Sequence, residues 1–71
     1  MMELILTNHA KKRMAERGIK LEQIKEVIDF PTYTTRKDSK IEAYKEINGK
    51  TLKVVYIQKA KFIKITTLIW K

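Results

Sequence analysis

Apolar and polar positions change their period once along this chain, near Thr32, and the change separates a helical N-terminal part from a stranded C-terminal part. Between residues 9 and 17, Ala10 and Met14 stand one helical turn apart and make a narrow apolar stripe. Thr7 or Asn8 can cap this helix with a side-chain oxygen, and Gly18 fits the left-handed position after its last turn. Over residues 21–29, Leu21, Ile24, Val27 and Ile28 keep helical spacing. Phe30-Pro31 stops this second helix, because a residue before proline disfavours the helical region. The short link Gly18-Ile19-Lys20 makes the pair a helical hairpin or corner.

From Thr32 onward the period is two. Residues 32–37 (TYTTRK) read as an edge strand, residues 41–47 and 51–58 as clearer strands, and residues 62–70 as the last one. The Met2–Leu6 run adds a further short strand. Asn48-Gly49 is a strong hairpin signal, since both residues accept the positive φ of a type I′ turn. That turn pairs Ile47 with Lys50, Ala43 with Val54 and Tyr44 with Lys53. A similar turn at Lys59-Ala60 pairs Lys53 with Thr66 and Val54 with Ile65. Alternation then gathers Ile41, Ala43, Leu52, Val54, Tyr56, Ile63, Ile65 and Ile69 on one face, the face the helices cover. The opposite face carries Tyr44, Lys53 and Thr66 in a row with Lys64 nearby, and a one-residue slip would break that row. The expected fold is α+β: two N-terminal helices packed on a three- to four-stranded antiparallel sheet.

Composition narrows the class. The 71 residues make one domain, 1–71, with a thin core, since a chain of this size buries only about 60% of its unfolded surface. There is no Cys, so neither disulfides nor thiolate metal sites reinforce it. No apolar run is long enough to span a bilayer, and the start MMELILTNHA has no basic segment of the signal-peptide kind. A cytoplasmic protein without membrane association is the expectation. Lys and Arg number 16 against 8 Asp and Glu, a net charge of +8 that favours a polyanionic partner: nucleic acid, an acidic protein or an anionic membrane surface, of which the first two are the expectation.

Candidate chemistry centres on one spacing. His9, Arg13 and Arg17 are each four residues apart, so on a helix they form one continuous stripe beside Ala10 and Met14. Arg is always charged and binds phosphate bidentately, and His titrates near neutrality. His9 can then act as general acid/base on a 2′-hydroxyl or a leaving 5′-oxygen, while Arg13 and Arg17 hold the phosphate. The competing reading is architectural: a histidine bonded within the first helical turn, and arginines whose stems pack on the sheet with ion pairs to Glu26, Asp29 or the C-terminal carboxylate. Lys12 is placed to pair with Glu16. On the sheet, Lys53 and Lys64 can neutralise phosphate, with Tyr44 and Thr66 donating hydrogen bonds; an ordinary polar outer face competes with that reading. Trp70, Phe62 and Tyr33 either stack on bases or, for Trp70, seal one end of the core or fill a groove for an antitoxin. One His and no Cys leave no metal signature, and neither a glycine-rich phosphate loop nor a nucleophilic-serine motif occurs, so no cofactor is expected.

The string HAKKRMAERGI, then FP, then KVVYI and IKITTLI, resembles the small domains grouped as DUF4258 over essentially the whole chain. The resemblance carries over to His9, Arg13, Arg17, Gly18, Pro31 and Thr66. Lys20 departs from it, standing where a capping Ser is usual, which implies a less sharply started second helix. That group looks related to the RelE/BrnT-like toxins, with barnase-like folds. The resemblance therefore implies a small ribonuclease-like toxin of the mRNA-interferase type that cleaves RNA without metal and is neutralised by an antitoxin. On this reading His9, Arg13, Arg17 and Thr66 are catalytic, and Lys12, Tyr44, Lys53 and Lys64 bind RNA. The alternative is a non-catalytic basic module that docks on nucleic acid or an acidic partner. Exposed strands at 32–37 or 62–70 also offer pairing between chains, hence a homodimer.

Overall fold

The computed structural model describes residues 3–71. Its first strand, β1 (Glu3–Leu6), ends at Thr7, whose side chain opens the helix α1 (Asn8–Glu16) by accepting the Ala10 N–H at 3.0 Å. The Met2 end of the expected first strand lies outside the described residues. Arg17 closes α1, and Gly18 follows with φ of +61°, the left-handed conformation expected there. The helix α2 (Leu21–Asp29) starts without a side-chain cap from Lys20; instead Gln23 Oε1 reaches back and accepts the Lys20 N–H at 2.8 Å. Four strands follow: β2 (Tyr33–Lys37), β3 (Lys40–Ile47), β4 (Lys50–Gln58) and β5 (Phe62–Trp70).

These strands form one five-stranded mixed sheet in the order β1-β5-β4-β3-β2. This corrects the expected three- to four-stranded antiparallel sheet. Strands β2 to β5 are antiparallel, but β1 runs parallel to β5, with Leu4 opposite Ile63 and Leu6 opposite Ile65. The first half of β5 offers an unpaired edge, and the alternating Leu4 and Leu6 bring apolar side chains that pack against the core beside it. It also covers the first half of β5, Phe62–Ile65, against pairing between chains, and the two outer strands are β1 and β2.

The Asn48-Gly49 hairpin has the expected register, Ile47 opposite Lys50 and Tyr44 opposite Lys53, with φ of +53° and +83° at the two turn residues. The next corner differs. Lys59, Ala60 and Lys61 all lie in the loop, closed by Lys59 N–H donating to Phe62 O at 2.9 Å, and Gln58 pairs with Ile63. That longer loop keeps Ile63 and Ile65 on the core face. A β-bulge then interrupts the ladder between Val55 and Tyr56, so that Tyr56 faces Ile65 but Val55 faces Thr67. One extra residue reverses the alternation. Leu68 turns into the core at 0% exposure, and Ile69, expected inside, is 38% exposed on the other face.

The core lies between the helices and one sheet face. Ala10, Ile24, Val27, Ala43, Leu52, Val54, Ile65 and Leu68 are all fully buried. Each fully buried Leu, Ile or Val contributes about 1.5–3 kcal/mol of transfer free energy. α1 rests on β5, and α2 crosses β3 and β4. No helix is long and apolar enough to cross a membrane among the described residues.

Candidate active site and basic surfaces

Three bonds, each from a side chain to a main-chain carbonyl, fasten the two ends of α1 along the second half of β5, beyond the reach of β1. At the helix start, Thr7 Oγ1 donates to Thr66 O at 3.4 Å. At its end, an Arg17 guanidinium N–H donates to Leu68 O at 2.6 Å, and the Trp70 indole N–H returns a bond to Arg17 O at 3.0 Å. Arg17 is half-buried, and its charged head satisfies a carbonyl of the sheet. Trp70 is partly buried and packs against the core, whose sealing was one of the three roles read for it from sequence.

The rest of the stripe faces outward. His9 is exposed, and Arg13 Nε donates to His9 Nε2 over 3.5 Å, a long bond at the limit of useful geometry. Arg13 also holds Glu16 Oε1 at 2.8 Å. Glu16, expected to pair with Lys12, is thus taken by the next residue along; Lys12 is exposed on α1. Neither arginine meets Glu26, which lies 3.9 Å from Lys45 instead.

Thr66 sits at the bulge. Its hydroxyl donates to Val55 O at 3.1 Å, and its own carbonyl takes the Thr7 hydroxyl. Its main chain thus meets the cap of α1 while its hydroxyl reaches across to β4, and it does not pair with Lys53. The longer Lys59–Lys61 loop shifts the expected pairing by two residues and the bulge by one more, so Lys53 faces Ile69 instead of Thr66, Val54 faces Leu68 instead of Ile65, and the row becomes Tyr33, Tyr44, Lys53 and Ile69. Tyr33 stacks on Tyr44 with ring centroids 4.4 Å apart and planes 11° from parallel, which buries Tyr44 although no helix covers this face. Lys53 Nζ lies 5.7 Å from the Tyr44 ring centre and 3.3 Å from Glu42 Oε2. The Thr35 hydroxyl, bonded to Glu42 at 2.8 Å, and then the Lys53 ammonium hold the Glu42 carboxyl below its ordinary range. The same partnership with Glu42 holds the Lys53 ammonium above its ordinary value. Lys64 is exposed on β5, flanked in the ladder by Ile5 and Ile57.

The sequence-predicted residues thus fall into two groups. Arg17 and the Thr66 carbonyl lie at the border of α1 and β5, with His9 and Arg13 on the same stripe of α1 and Lys12 exposed on that helix, whereas Tyr44 and Lys53 sit on the open face over β3 and β4. Sequence reasoning missed Lys71, whose Nζ lies 6.0 Å from the Tyr44 ring centre, doubling the positive charge around that aromatic pair. Its position two residues beyond Ile69 is the signal, legible only once the bulge is known. Among the described residues, no three His, Cys, Asp or Glu side chains gather closely enough to hold a metal ion.

No curated protein and no solved structure matches this chain. Residues 6–70, which include the whole His9–Arg13–Arg17–Gly18 stretch, match the family described as Domain of unknown function (DUF4258), and the chain belongs to that family.

Proposed function

We propose that the chain is a small basic toxin of the RelE/BrnT type: an endoribonuclease that cleaves mRNA in the cytoplasm through its 2′-hydroxyl and is neutralised by a cognate antitoxin. The observation that carries this reading is the exposed His9–Arg13 pair on a helix fastened to the sheet at both ends. His9 Nε2 accepts the 2′-hydroxyl proton. The 2′-oxygen bonds to phosphorus as the bond to the 5′-oxygen breaks, leaving a 2′,3′-cyclic phosphate. Solvent returns a proton to the 5′-oxygen. Arg13 releases Glu16 and His9 to hold the phosphate, a better bidentate partner that becomes more negative in the transition state. Arg17 is a positioning residue on this account, since its guanidinium anchors the helix. Thr66 acts in the same way through the bulge. Lys12 on α1, and Lys64, Lys53 and Tyr44 on the sheet, hold the RNA backbone as two separate patches, and their contacts make affinity fall steeply with salt.

A second reading is a non-catalytic basic module that binds nucleic acid or an acidic protein. It is favoured by one observation: the polar groups of Arg17 and Thr66 are bonded to main-chain carbonyls, and Arg13 is paired with Glu16. Induced expression separates the two. On the toxin reading, wild type arrests growth, and His9→Ala, although folded and equally abundant, does not. Folded wild type that leaves growth unaffected, together with salt-sensitive RNA binding indifferent to His9→Ala, would leave the binding module.

A further inference from the structure

The two free edges of the sheet are built differently. β2 is preceded by Pro31 and carries Arg36 and Lys37, the charged and proline-flanked kind of edge that resists pairing with another chain. β1, Glu-Leu-Ile-Leu, carries neither Pro nor a cation. In β1 the N–H of Glu3 goes to Lys61 O and the N–H of Thr7 to Ile65 O, so the odd-numbered residues bond inward to β5. By alternation, the N–H and C=O of Leu4 and Leu6 point away from the sheet. Beside that edge runs a groove of about 630 Å³ between β1 and α2. Leu4 and Leu6 form its floor, and Ile28 and the 40%-exposed Leu21 form its wall.

Its rim carries Glu3, Asp29 and Lys25. In a chain of net charge +8 this is a place where two copies can approach with little repulsion. A two-fold axis at Ile5 lays one β1 antiparallel to the other, and Leu4 of each copy then exchanges both main-chain bonds with Leu6 of its partner. The mixed signs of the rim are self-complementary, so Lys25 of each copy can meet acidic groups of the other. We propose that this edge and groove are the interface of a homodimer, in which two sheets join through β1 and the leucine-lined grooves close on each other. The residues that line this groove include none of His9, Arg13 and Arg17, so the proposal stands apart from the ribonuclease reading.

Sedimentation equilibrium of the full chain tests it, with hydrogen exchange of the Leu4 and Leu6 amides as a second readout. Wild type should dimerise with a dissociation constant on the order of 10 µM, as expected of a small interface. Lys25→Glu makes the rim uniformly acidic, and Leu21→Lys puts a charge in the groove. Each should weaken the dimer at least about tenfold and expose the Leu4 and Leu6 amides to exchange. Lys25 is exposed, so Lys25→Glu keeps the test valid should Leu21→Lys fail to fold. A wild type that stays monomeric up to about 1 mM overturns the proposal and leaves the edge to a strand of another protein. A dimer indifferent to both changes, or one broken by Thr35→Lys on β2, overturns it as well.

Discussion

Arg17 illustrates how one residue can satisfy a functional pattern and an architectural need together. Its spacing from His9 and Arg13 was legible in the sequence, because helix periodicity fixes which residues share a face. Its partner was not legible: Leu68 lies 51 residues away, and nothing local announces that its carbonyl needs a donor. The structure thus divides the stripe. His9 is exposed and Arg13 is paired with Glu16 on the helix surface, whereas Arg17 is bonded to the sheet. Arg17→Ala should cost about 1–3 kcal/mol of stability, the range for leaving a part-buried carbonyl without its charged donor. His9→Ala, at an exposed position, should change stability by no more than about 0.5 kcal/mol. Chemical denaturation of the two variants against wild type measures both, and equal effects would contradict the division.

At the scale of elements, the sequence displayed what local chemistry determines. Both helices, the strands of the second half and the Asn48-Gly49 turn follow from caps, periodicity and positive φ. The misplaced features are set by distant partners. β1 pairs with a strand some sixty residues later, with no turn residue to mark the connection. The bulge falls at Thr66-Thr67, two β-branched residues with neither Gly nor Pro, so the reversal that buries Leu68 and exposes Ile69 left no composition signal. The Thr66 hydroxyl, bonded to Val55 O, is the visible support of that bulge. Thr66→Val keeps the shape and removes the bond, and should lower stability by about 1–2 kcal/mol. Thr66→Ser should recover most of the loss. Thermal melts of the pair provide the check, and a Val variant as stable as wild type would mean the hydroxyl does not hold the bulge.

The whole molecule is a thin two-layer fold with helices on one side of the sheet. One face is therefore open, and a net charge of +8 is spread over a small surface. That asymmetry explains the two groups of candidate residues. The α1 border offers an exposed imidazole beside a guanidinium, and the open face offers lysines around a stacked tyrosine pair. The first arrangement suits proton transfer at a phosphate, and the second suits holding a polyanion. The groove of the proposed dimer is lined by residues of neither group. The family match covers the stripe and the bulge alike, consistent with their being parts of one fold. The measurement that bears most directly on the ribonuclease reading is in vitro cleavage of single-stranded RNA by the purified protein, wild type beside His9→Ala, with the product ends identified. The account predicts 2′,3′-cyclic phosphate and 5′-hydroxyl ends from wild type and a loss of at least about 100-fold in rate for the equally folded variant, the scale of one general acid–base group. Cleavage at an unchanged rate by His9→Ala, or RNA left intact by folded wild type, would contradict it.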